Sequence, residues 1–426
     1  MAPARKLQTA APVLSCALLA TVTAMRGPGP TLAFTDLVVA GVVLLLAAAS
    51  LLWSTKVVGY RVATRTVALA LVAAIGCTVS IRASADPSAS MSRGALYLAV
   101  LLAGLALGVM HARGSWSIRP WLLAVLASTG PFVTWAFVEM FHGVRDPLSD
   151  WYLGVFNNPR FLGASAFVLA VSSLALALLS PRGRGSAWLL SSFGLVVTAG
   201  TGTRAGVLCW VLFTILLAAL LRQRRVLLVG GGALAVALVI TWFLHLAGAL
   251  TTADIFSRAS LSAEYVEQGD LNAISSGRLA IVKASLEAFT GAPWFGQGPD
   301  AFSRLEVWPG LIHAHNLAVT LLLEFGVVGC LVMAVLAVVL CLRPAGVAET
   351  VRQVRVSDEN GVLTATVVAL LLYAQLDGTY YWLTPLLSGT LFLGLWFAAM
   401  RNPAGVSAPA ESLPQRVGSA QPAPRP

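Results

Sequence analysis

Residues 226–244, VLLVGGGALAVALVITWFL, form an apolar run without a single charge. About 20 apolar residues are what an α-helix needs to cross the hydrocarbon core of a bilayer, whereas a barrel strand would alternate apolar and polar side chains. This stretch reads as a membrane-spanning helix, and the rest of the chain is of the same kind. Of its 426 residues 58% are hydrophobic and 11% charged, an apolar share that allows about twelve spans. That composition excludes a soluble enzyme, a disordered chain and a collagen-like fibre. The expected fold is all-α, a polytopic integral membrane protein with about 12 transmembrane helices.

Working outward from 226–244, spans are expected near 10–25, 32–53, 66–83, 94–111, 119–138, 161–180, 186–201, 205–221, 226–248, 314–342, 361–378 and 381–400. With the N-terminus inside, most of the 28 basic residues fall in short cytoplasmic loops, so both termini are assigned to the cytoplasm. The net charge of +10 then reflects anchoring against anionic membrane lipid and requires no nucleic acid. The chain divides into N-terminal helices (1–138), an extracytoplasmic loop (139–160), central helices (161–248), a long extracytoplasmic loop domain (249–312), C-terminal helices (313–401) and a proline-rich tail (402–426) read as disordered. The first span is read as retained rather than cleaved as a signal peptide. The five cysteines lie in or beside apolar runs, with no CxxC pair and no zinc-ligand spacing, and read as buried free thiols. No nucleotide-binding signature is present.

The outer face carries the chemistry. In the long loop, Ser275 and Ser276 can cap a helix whose apolar positions Leu279, Val282, Leu286 and Phe289 suit the membrane surface. Glycines and prolines then force turns between Trp294, Phe295, Phe302 and Trp308, which suit either an aromatic belt or a platform for sugar rings. Arg204 follows Gly200-Thr201-Gly202-Thr203 at the start of a span. There a cation is opposed by the macrodipole and by the charge rule, and both penalties vanish if it holds an anion such as a phosphate. Arg278 stands at the start of the surface helix. His315, in His313-Ala314-His315-Asn316, puts an imidazole able to exchange a proton where the long loop meets the next span. Asp377, in the turn LDGTYYW, reads as an acceptor-side residue or a turn aspartate; Asp36, inside the second span, is a secondary candidate. No metal site is expected.

Four motifs in order, NNPRFLG (157–163), TGTRAG (201–206), GRLAIVKASLEAFTGAPWFGQGPDAF (277–302) and HNLAVTLLLEFGVVG (315–329), resemble the O-antigen ligase and O-antigen polymerase superfamily of bacterial membrane glycosyltransferases. The resemblance covers roughly residues 130–345. It implies a polyprenyl-diphosphate-linked glycan as donor, and transfer to an acceptor hydroxyl on a glycan or lipid-glycan outside the cytoplasmic membrane. It further implies that Arg204 and Arg278 hold the diphosphate and that His315 assists the acceptor. Arg160 stands where an asparagine is common in the family; with Asn316 and Trp294 it completes the expected substrate-binding set.

The same chemistry follows from the residues. Transfer from a lipid diphosphate leaves charge on the departing group, which fixed cations can stabilise. With no DxD-type pair in the sequence, two arginines are the available means, and no cofactor is expected. His315 could accept the acceptor's proton while Asn316 orients substrate or backbone, and direct displacement would invert the anomeric centre. Glu324, about 13.5 Å along the helix from His315, is read as a buried packing residue, with Gly326 and Gly329 letting helices approach. The readings kept beside an O-antigen ligase are a polysaccharide polymerase, which shares these motifs, and a transporter of lipid-linked glycan.

Overall fold

The computed structural model describes residues 86–111, 118–142, 159–180, 183–250, 277–307, 313–341, 358–378 and 383–401 continuously, with scattered positions at 71–84 and 254–275. Its helices are α1 (Pro87–His111), α2 (Arg119–His142), α3 (Pro159–Leu179), α4 (Arg184–Gly200), α5 (Arg204–Leu221), α6 (Arg225–Leu246), α7 (Arg278–Phe289), the single turn α8 (Ala301–Arg304), α9 (Leu317–Cys341), α10 (Asp358–Leu376) and α11 (Leu383–Arg401). No strand occurs among the described residues. Segments of α2, α3, α5, α6, α9 and α10 are long and apolar enough to cross a membrane; α4, at 17 residues, is shorter. The expected spans 10–25 and 32–53, most of 66–83, Asp36 and the tail 402–426 lie outside the described residues.

α3 is the post around which the other helices stand. In its membrane window 89% of residues are buried, against 28% for α6, so α3 has protein on every side while α6 turns much of its surface outward. α3 packs against α2, α4, α5, α10 and α11. The shared core holds Phe167, Trp210, Phe213 and Tyr373, with the Phe167 and Tyr373 rings 4.9 Å apart. Trp188 and Trp210 donate their indole N–H groups to the α6 carbonyls of Val229 and Gly230, so buried polar atoms also fasten α4 and α5 to α6.

Two close approaches fix where these helices begin and break. Gly163 lies one turn into α3, and a Cβ there would overlap the hydroxyl oxygens of Thr201 and Thr203, which bond to each other at 2.8 Å. The glycine of NNPRFLG thus receives the threonines of TGTRAG, and the two arginines of these motifs start neighbouring helices. The second approach corrects the expectation for Gly326. It does not serve helix–helix contact: with φ 65° and ψ −173° it breaks α9, in a region of backbone space essentially reserved for glycine. The freed backbone groups are taken up by the long loop. Gln297 N–H donates to Leu323 O at 2.8 Å and Gly298 N–H to Glu324 O at 3.0 Å, while Val327 and Val328 N–H donate to Pro293 O and Trp294 O at 2.8 and 3.0 Å. A segment of loop is stitched into a membrane helix, which satisfies groups that would otherwise be buried unpaired.

Glu324 sits beside this break, 1% exposed, and accepts the Asp300 N–H at 2.9 Å. Its packing role is as expected, and Arg93 and Arg304 are among the charges acting on it.

Candidate active site

The surface helix α7 begins at Arg278. Ser275 Oγ and Asn272 Oδ1 accept the N–H groups of Leu279 and Ala280 at 3.2 and 3.0 Å, so a serine serves the free amides as its position suggested. Its outward face carries two of the apolar positions expected to suit the membrane surface. Ile281 and Ser285 are buried, while Leu279 and Leu286 are 53% and 40% exposed. Those two leucines form an apolar outer surface, and the helix is pinned by Ile281 against Ala301, Phe302, Ala314 and Leu323.

Four elements converge at the N-terminal end of α3. Arg160 comes from the first turn of α3, Arg278 from the start of α7, His315 from the loop entering α9, and Asp377 from the residue after α10. His315 Nδ1 and Asp377 Oδ1 are 3.0 Å apart, and both side chains are 4% exposed. Arg160 Nη1 stands 3.1 Å from His315 Nε2. Because guanidinium only donates, Nε2 must carry the lone pair and Nδ1 the proton given to Asp377. Arg278 Nη2 lies 3.6 Å from Asp377 Oδ2, and its Nη1 donates to Leu376 O. Asp377 Oδ1 also accepts the Gly378 N–H at 2.8 Å. The turn aspartate is therefore the hub of the cluster, joining the histidine to an arginine.

Local chain chemistry holds His315 there. It has φ 53°, left-handed for a non-glycine residue, and strain of this kind persists only where its surroundings over-determine it. His315 N–H donates to His313 Nδ1 at 3.3 Å, and the two rings meet edge to face with centroids 4.1 Å apart. Gly378 lies flush on the His313 ring, where a Cβ would overlap it. Asn316 Oδ1 caps α9 through Val319 N–H at 2.9 Å, and its Nδ2 donates to Gln375 O at 2.9 Å. Both ends of this amide hold backbone, so its place is that of a positioning residue.

The electrostatics follow from this packing. Burial would raise the Asp377 pKa, but the hydrogen bond from His315 and the charge of Arg278 hold it below the ordinary carboxylate range. Burial lowers His315, with Arg160 and Arg278 acting in the same direction and Asp377 opposing them; the imidazole stays neutral. Burial and the neighbouring His315 depress His313 further. Arg204, first residue of α5, feels the charges of Arg278 and Arg160. Arg278 and Arg160 both act on the Asp377 carboxylate, and Arg204 lies within the field of these two arginines. Among the described residues no group of three or more His, Cys, Asp or Glu side chains could hold a metal ion.

Trp294 is not brought to this cluster. It stands at the Gly326 break with its side chain 65% exposed, eleven residues along α9 from His315 and so roughly 16 Å away. Of the other rings, Phe295 is 47% exposed, Phe302 is core, and Trp308 lies outside the described residues. The sequence reading passed over Tyr373. Its buried hydroxyl has no hydrogen-bond partner among the described residues, and it lies at the foot of the cluster, where Asp377, Arg278 and Arg160 act on it. Gly206 lies nearby, 3.6 Å from that hydroxyl as measured from a Cβ built there, but the contact that requires a glycine is with Thr198 of α4, which the same Cβ would overlap.

The fold and site together define an all-α membrane protein with a buried His–Asp pair set among arginines. Residues 187–334, about a third of the chain, match the family model described as O-antigen ligase, and this match supports the O-antigen ligase and polymerase superfamily, a family of membrane glycosyltransferase-like enzymes. The matched segment contains Arg204, Arg278 and His315; Arg160 and Asp377 fall on either side of it. No curated protein matches the chain.

Proposed function

We propose that the protein is an O-antigen ligase-type glycosyltransferase, moving a glycan from a polyprenyl diphosphate to an acceptor hydroxyl on the outer face of the cytoplasmic membrane. The observation that carries this reading is a neutral histidine held by a carboxylate, with Arg160 and Arg278 against it and Arg204 within their field. A diphosphate esterified at both ends is an anion that such a group of cations attracts. Arg204 and Arg278 take the diphosphate through their side chains, since the N–H groups of Arg204 and Gly206 at the start of α5 are given to Gly202 O and Thr203 O. His315 Nε2 takes the acceptor's proton while Asp377 holds the opposite nitrogen and stabilises the imidazolium that forms. The acceptor oxygen bonds to the anomeric carbon as the bond from that carbon to the diphosphate breaks, so configuration inverts. The electron pair leaves on the diphosphate, where the arginines stabilise it without a metal ion. His313 and Asn316 position the loop.

Two measurements test this. In proteoliposomes supplied with lipid-linked glycan and acceptor, Arg204→Ala, Arg278→Ala and His315→Ala should each reduce transfer by at least about 10²-fold with the protein still inserted. Full activity in these variants would overturn the assignment. In cells depleted of the protein, long glycans accumulating on the polyprenyl carrier identify a ligase, and single repeat units identify a polymerase.

A further inference from the structure

The contact between Arg160 and His315 has a chemical cost for a base. A lone pair that accepts from a guanidinium cannot at the same time take a proton from an acceptor hydroxyl. With Nδ1 committed to Asp377, Nε2 is the nitrogen left for that task, and it is the one Arg160 occupies at 3.1 Å. For His315 to act, Arg160 must turn away. Arg160 belongs to the same charged cluster as Arg204 and Arg278, so an anion held by those two would draw it. It also stands where the family resemblance leads one to expect asparagine, a side chain without charge.

We propose that Arg160 is a donor-released cap on the base: the diphosphate of the lipid-linked donor pulls its guanidinium off His315 Nε2, so that the acceptor can be deprotonated only after the donor has bound. This rests on the reading of Arg204 and Arg278 as the diphosphate site, and it assigns that reaction an order. The cap also protects the donor, since the base becomes competent only when the reacting carbon is in place. The charged and titratable groups acting on His315 are His313 on its own loop, Arg160 from α3, Arg278 from α7 and Asp377 just after α10, and Arg93 of α1 acts on His313 beside it. Of these, Arg160 is the one bonded to Nε2.

The sign of one measurement decides. Diethyl pyrocarbonate acylates a neutral imidazole at a free lone pair, and tandem mass spectrometry separates His315 from His313. Full-length protein in nanodiscs is labelled with and without polyprenyl diphosphate, whose binding is measured separately. An ordinary ligand shields a residue in its site, whereas release of the cap should speed labelling of His315, by roughly tenfold for loss of one charge-assisted hydrogen bond. Arg160→Asn should label at the fast rate with or without the diphosphate, which it binds more weakly for the loss of one cation and which is therefore supplied at a concentration that saturates the variant. In that variant the acid limb of the transfer rate should move to higher pH, because a charge that depresses the His315 pKa is gone. Binding accompanied by protection of His315 in the wild-type protein overturns the cap and leaves the diphosphate site intact. Failure of the wild-type protein to bind polyprenyl diphosphate overturns both.

Discussion

Asp377 does two things for His315, and they can be separated. Its carboxylate fixes which nitrogen holds the proton, and its charge raises a pKa that burial and the arginines lower from 6.5. His315 works as a base only when neutral, so transfer should fall on the acid side with a midpoint below pH 6.5. Asp377→Asn should shift that midpoint to still lower pH, since the raising influence is lost, and reduce the plateau on the order of 10²-fold. The pH profile of kcat/KM checks both. An unmoved acid limb with an unchanged plateau would mean that the carboxylate merely shapes the turn.

At the scale of elements, the site is set by where helices begin and break. Gly163→Ala would push the Thr201–Thr203 turn off α3 and separate Arg204 from Arg160. Overpacking of this kind costs about 1–3 kcal/mol, so the variant should remain inserted, melt several degrees lower and lose most of its affinity for polyprenyl diphosphate. Unchanged affinity would sink the interlock. Gly326→Ala asks for a residue with a Cβ at φ 65°, ψ −173°, and that Cβ would strike Gly296 and Trp294. The 293–298 segment should then leave α9, exposing the loop to protease and changing the emission of Trp294. A protease pattern like that of the wild type would show that the break tolerates a side chain.

On the scale of the molecule, the reading requires the cluster to lie at the outer surface. Glu287 on α7 and Ser186 at the start of α4 are both exposed and stand at opposite ends of the expected topology. In intact cells a membrane-impermeant maleimide should label Glu287→Cys, and Ser186→Cys only after permeabilisation. The reverse pattern would put the arginines on the wrong side for an exported glycan. Cys209 is buried, which limits background at that position.

Apolar runs told where the helices are, because burial in lipid or in a helical core depends on side chains close together along the chain. The same locality made Arg204, Arg278 and His315 legible, since each sits in a motif at a helix start. What joins them was not legible. His315 meets Asp377 across 62 positions and Arg160 across 155, and both contacts depend on how α3 and α10 pack. Tyr373 looked like one more apolar residue of a span, and Gly326 looked like a contact glycine because its loop partner lies thirty residues upstream. The sequence by itself determined a membrane bundle with cations and an imidazole at one face. Only the tertiary structure decided which nitrogen of that imidazole carries the lone pair, because a hydrogen-bond partner from a distant helix is selected by packing geometry, which no local pattern encodes.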